Sequence, residues 1–116
     1  MSRLLDEMAA YGADIEGVLD RFMEDEELYA SCLKDFVDTT DMSVLSNQIT
    51  TGDYEAAFES AHALKGVSGN LGLTPLFDVA CVLVEALRHN NYENLDKQYA
   101  DVDEKMQEFL KTYNNI

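Results

Sequence analysis

The chain has 116 residues, 47% of them hydrophobic and gathered in short clusters, which is enough for one modest core and too little for two unrelated domains. Eight Lys and Arg against 23 Asp and Glu leave a formal charge of −15, which repels phosphate backbones and anionic lipid surfaces, so neither nucleic acid nor a membrane is an expected partner. No apolar run approaches the roughly 20 residues of a membrane span, and Met1-Ser2-Arg3-Leu4-Leu5-Asp6 lacks the basic flank and apolar stretch of a signal peptide, so a cytoplasmic protein is expected.

One proline, six glycines and no strand-type alternation predict an all-α fold. Leu4, Leu5 and Met8 form a short amphipathic segment that stops near Gly12, and Asp14 caps a second bearing Ile15, Val18, Leu19 and Phe22. Asp25 caps a longer one, with Tyr29, Cys32, Leu33, Phe36 and Val37 at helical spacing up to the polar stretch 38–41. A brief segment, Met42 to Ile49, follows. Thr51-Gly52-Asp53 reads as a turn and N-cap that opens a central helix through Tyr54, Ala57, Phe58, Ala61, Leu64, Ser68 and Leu71. Gly72 suits its C-terminus, while Thr74 and Pro75 suit the next N-cap and first helical position, so two helices meet in an antiparallel hairpin. The second carries Leu76, Val79, Ala80, Leu83 and Leu87 and ends at Asn90-Asn91. The last has one seam of Leu95, Tyr99, Val102, Met106, Phe109 and Tyr113. Four longer helices with single seams predict an up-and-down antiparallel four-helix bundle, with short additional N-terminal helices, as one domain over 1–116. Cys32 and Cys81 stand among apolar neighbours without a C-x-x-C or Cys/His cluster, and read as free buried thiols rather than a disulfide or metal site.

Three of the six glycines fall in His62-Ala63-Leu64-Lys65-Gly66-Val67-Ser68-Gly69-Asn70-Leu71-Gly72, and only Gly72 is placed to end the helix. At about 100° per residue the stripe 54/57/61/64/68/71 marks the core side, and His62, Gly66 and Gly69 lie well over 90° away, facing solvent. Two glycines on one exposed helical face cost about 2 kcal/mol relative to alanine with no folding gain, so something other than folding needs that bare strip. Lys65, three residues after His62, is the sole Lys or Arg between Lys34 and Arg88, and Ser60 to Phe77 holds no Asp or Glu. An exposed imidazole, one adjacent ammonium and a cleared, carboxylate-free surround suit a dianionic group attached to the ring. Neutral imidazole is a competent nucleophile near pH 7, its ordinary pKa being about 6.5.

The segment resembles the phosphorylation motif of histidine-containing phosphotransfer (HPt) domains, His-x-Leu-Lys-Gly-x-(Ser/Ala)-x-x-(apolar)-Gly, which stands here as His62, Leu64, Lys65, Gly66, Ser68, Leu71 and Gly72. The likeness extends upstream to Gly12, Asp14, Leu19, Arg21, Phe22, Glu27, Leu28, Tyr29 and Phe36, and downstream to Cys81 and Glu85. The resemblance implies a four-helix bundle that displays His62 and carries a phosphoryl group between receiver-domain aspartates, as substrate and donor rather than as an enzyme. It implies phosphorylation on the outer ring nitrogen, with Lys65 steadying the phosphoryl oxygens and Gly66 and Gly69 admitting the receiver. Expected partners are response-regulator receivers and a hybrid histidine kinase. The chain itself is read as a monomer without a cofactor or metal, the magnesium belonging to the receiver.

Other side chains have plainer readings. Arg88 falls opposite Phe58 and Glu59 across the hairpin and is expected to pair with Glu59 or Glu85. Glu85 either accepts an N–H from His62, orienting the ring, or is a simple surface carboxylate. His89 sits with Arg88 at a helix C-terminus, where positive charge suits the dipole. Ser68, on the core stripe, reads as a small packing residue. Two other function classes stand against the phosphocarrier. One is an acidic helical adaptor that docks receivers or kinases without being phosphorylated. The other, a nucleophilic enzyme, lacks a base and orienter around any serine or cysteine.

Overall fold

A computed structural model describes residues 2–116; Met1, the first residue of the N-terminal reading, lies outside the described residues. The fold is all-α, with no strand among the described residues. Seven helices run in order among the described residues: α1 (Arg3–Tyr11), α2 (Ile15–Arg21), α3 (Glu26–Thr39), α4 (Met42–Thr51), α5 (Tyr54–Asn70), α6 (Thr74–Arg88) and α7 (Leu95–Asn114). Four of the starts are built alike. Asp14, Asp25, Asp41 and Asp53 each accept the amide N–H of a residue two or three positions on, which satisfies a donor the helix leaves free and sets a carboxylate at its positive end.

The core is shared by the four long helices and sealed by the short ones. α5 contributes Ala57, Ala61 and Leu64, whose small front pair lets α6 approach closely through Leu76, Ala80, Leu83 and Leu87. α6 packs in turn on α7, which buries Leu95, Val102, Met106 and Phe109 while Tyr99 and Tyr113 stay half-buried. α3 brings Tyr29, Leu33 and Phe36, and the Phe36 ring meets Phe109 with centroids 5.7 Å apart. α1 lies on α7, where Leu5 and Met8 are buried and the Tyr11 hydroxyl donates to the Lys105 carbonyl at 3.2 Å.

Two local expectations need correction. Thr74 is not the N-cap of α6. That position belongs to Leu73, and Thr74 and Pro75 are the first two helical residues, because the α5 terminus turns so tightly that α6 begins one residue sooner. Both cysteines are free but only half-buried, because Cys32 borders an open groove between α3, α4 and α5, and Cys81 stands next to exposed Val82.

Candidate functional site

The site is carried by α5, and its geometry begins at the end of that helix. Leu71 closes the helix and Gly72 follows at φ +68°, the left-handed conformation a helix stop requires and L side chains resist. The Leu73 N–H then donates to the Ser68 carbonyl at 2.9 Å and the Gly72 N–H to the Gly69 carbonyl at 3.1 Å, the paired bonds of a Schellman stop. A Cβ on Gly72 would overlap the Val18 methyl and lie 3.2 Å from the Asp14 carbonyl, so α2 packs against a bare backbone here.

Other elements hold the remaining carbonyls of this end. The Tyr29 hydroxyl of α3 donates to the Leu71 carbonyl at 2.8 Å, and burial pushes its pKa up to about 12, so the bond persists through any physiological pH. Arg21 of α2 donates from Nε to the Asn70 carbonyl at 3.1 Å and from Nη2 to the Gly69 carbonyl at 3.2 Å, setting a cation at the negative end of the helix dipole. Arg21 and Tyr29 stand some 40 to 50 residues away in sequence. No local rule predicts their targets, and sequence reading missed both.

On the solvent side, His62 is exposed, Lys65 half-buried and Gly66 exposed, and together with Gly69, Asn70 and Phe77 they line a shallow cleft of about 240 Å³. Lys65 forms no ion pair among the described residues, in keeping with the carboxylate-free stretch around it. A Cβ on Gly66 would meet nothing within 4 Å. Gly69 differs from the expectation of two bare positions. A Cβ there would come 3.0 Å from Cε1 and 3.1 Å from Cδ1 of Phe77, so this glycine makes room for a ring of α6 and has a packing role. The hairpin register that sets Arg88 against Phe58 also sets Phe77 against Gly69, so the signal was present in the sequence.

Beside the histidine the Phe58 ring lies 5.7 Å from the imidazole, centroid to centroid, and the Arg88 guanidinium sits over that ring, 5.5 Å from its centroid. Arg88 thus does both things considered for it: it folds back toward α5 and pairs with Glu85, Nε to Oε1 at 3.4 Å. Glu85 does not orient His62. Its second oxygen faces His89 Nε2 at 3.2 Å, because the carboxylate lies one turn from Arg88 and His89 on its own helix. Ser68 is fully buried on the core stripe and donates to the Lys65 carbonyl at 3.1 Å. The adjoining face of α5, Ala63, Leu64 and Val67, opens on a groove of about 880 Å³ against α3 and α4. Among the described residues, no group of three or more His, Cys, Asp or Glu side chains is disposed to hold a metal ion, and no helix is long and apolar enough to cross a membrane.

The cleft thus brings together an exposed imidazole, an ammonium without an ion pair among the described residues, and a helix face left open at Gly66. A family model described as the Hpt domain matches residues 1–112 of the chain. No curated protein matches it, and no solved structure does.

Proposed function

Because this chain belongs to the Hpt-domain family, whose members serve phosphotransfer in two-component signalling, we propose that His62 is its phosphoacceptor and that the protein relays a phosphoryl group between aspartates of receiver domains. The observation that carries the reading is the exposed His62 imidazole beside Lys65, which pairs with no carboxylate among the described residues, on a helix face left open at Gly66.

In this reading neutral His62 attacks the phosphorus of a receiver aspartyl phosphate through its outer ring nitrogen. A P–N bond forms as the P–O bond to the aspartate breaks, and the carboxylate leaves with the electron pair. Lys65 faces the phosphoryl oxygens and offsets their charge, which is present in donor, acceptor and transition state. The step runs in reverse when a second receiver offers its own carboxylate. Both directions need only that the partner's acidic site reach the ring, and Gly66 leaves that approach clear. The receiver brings the metal ion, and no base on this chain is required, since the attacking nitrogen carries no proton. The Phe58 ring lies beside the imidazole and carries the Arg88 guanidinium over its own face.

A phosphorylated receiver should therefore label the protein with an acid-labile, base-stable phosphate that His62→Gln abolishes and His89→Gln leaves unchanged. Labelling that survives His62→Gln overturns the assignment, and binding of receivers without any labelling makes the chain an adaptor.

A further inference from the structure

We propose that Arg21, on α2 and outside the cleft, is a positioning residue for the His62 site, acting through the last turn of α5. The last turns of α5 are weakly helix-prone, with Gly66 and Gly69 inside them and Gly72 immediately beyond. The Gly69 and Asn70 carbonyls belong to the final four of the helix, which lack intrahelical amide partners. Arg21 gives each a charged donor, Nη2 to Gly69 and Nε to Asn70. Gly69 and Asn70 are also two of the residues that wall the cleft containing His62 and Lys65. Whatever fixes their backbone fixes the wall against which a receiver must fit.

The site around the guanidinium is built for it. A Cβ on Gly17 would lie 3.3 Å from Nη1, tighter than most such contacts, and the bare backbone of Gly72 stands beside Nη2, where a Cβ would be in ordinary contact at 3.5 Å. α2 itself is seven residues long and buries only Val18. Its hold on the α5 terminus consists of the two Arg21 bonds, the Asp14 N–H donated to the Gly72 carbonyl at 2.9 Å, and the seat of Val18 on Gly72. Arg21 is exposed and borders the groove on the far face of α5 rather than the cleft, so it neither touches the phosphoryl group nor supports the core. Truncating it leaves Val18 and Tyr29 buried in place and admits water to the two carbonyls. The fold persists while the last turn frays.

The transfer part of this inference rests on the phosphocarrier reading, and the exchange part does not. In Arg21→Ala, amide hydrogen exchange over residues 66–73 should quicken about fivefold, the worth of the one bond left without a substitute, since the Gly69 carbonyl keeps the Gly72 N–H, while α7 amides are unchanged. Labelling of His62 by phosphoramidate, a donor too small to need the cleft wall, should stay at the wild-type rate, whereas receiver-dependent transfer should fall by about the same fivefold factor. Arg21→Gln, which can still donate to one carbonyl, should fall between the two in both readings and covers the case in which alanine fails to fold. Exchange over 66–73 that stays at the wild-type rate overturns the positioning role. So does an equal loss of phosphoramidate and receiver labelling, which would mark general loosening of the fold. If a phosphorylated receiver does not label wild-type His62 at all, the phosphocarrier reading fails, and the exchange result alone decides what Arg21 does.

Discussion

Alanine at Gly66 and alanine at Gly69 are the same change three residues apart on one helix, and the structure sends them in different directions. Both positions have ordinary helical backbone, so each substitution gains about 1 kcal/mol of helix propensity and unfolded-state entropy. At Gly66 the new methyl meets nothing within 4 Å, and the gain is kept. Its melting temperature should rise by about 4 °C for a chain of this size. At Gly69 the methyl arrives 3.0 Å from Phe77 Cε1, tighter than ordinary contact, and the ring must shift against α5. Overpacking of that kind costs about 1–3 kcal/mol, which cancels the gain or exceeds it. Thermal and urea melts of the two variants beside the parent test the difference, with the urea slope checking that the unfolded reference is unchanged. Transfer assays complete the pair. Gly66→Gln should leave stability near the parent while blocking the receiver's approach to His62. A Gly66→Ala protein that melts well below the parent would refute the reasoning, because the strip would then be buried against something and the open face would not exist.

Three further outcomes follow from other parts of the structure. Lys65→Ala should leave the melting temperature nearly unchanged, as Lys65 has no ion partner among the described residues, yet slow phosphoryl transfer in both directions; equal transfer rates at physiological salt would place all charge handling in the partner. Gly72→Ala should destabilise the protein by about 3 kcal/mol in a urea melt, from left-handed strain and the collision with Val18, and a loss under 1 kcal/mol would show that the α5 terminus can be rebuilt. Burial disfavours the phenolate and pushes the Tyr29 pKa up from its ordinary value of about 10 to about 12 in the folded state. The resulting stability is fully present below pH 10 and is lost as pH rises from 10 to 12, worth about 3 kcal/mol at most, so alkaline unfolding should begin in that window and lose part of its pH dependence in Tyr29→Phe. An unfolding curve flat through that window would contradict the buried placement of the hydroxyl.

What was legible in the sequence follows the range of the interactions concerned. Helix starts at Asp14, Asp25 and Asp53 could be read because the cap bond spans only three residues. The α5 stripe could be read because a helix repeats on a short period, and the same period put His62 outside. The stop at Gly72 was readable as a glycine after a periodic run, though the Thr74 cap was not, since the Schellman turn, two carbonyls back, decides where α6 begins. Cross-hairpin pairs were half legible. One register gave Arg88 against Phe58, and the same register applied one step further gives Phe77 against Gly69, which changes the meaning of that glycine. Glu85 went the other way, as its own helix offered Arg88 and His89 at closer range than His62 across the hairpin. Arg21 and Tyr29 were beyond reading. Each reaches a backbone carbonyl more than forty positions away, and a carbonyl has no residue type to announce it.

The central claim is a relay, and a chase experiment tests it most directly. The protein is phosphorylated by one receiver, freed of that donor, and mixed with a second, unphosphorylated receiver from the same genome. A base-stable phosphate on His62 should disappear as a base-labile phosphate appears on the second receiver's aspartate, at matching rates and in matching amounts. Phosphate that remains on His62, or that leaves only as inorganic phosphate while the second receiver stays unlabelled, would contradict it.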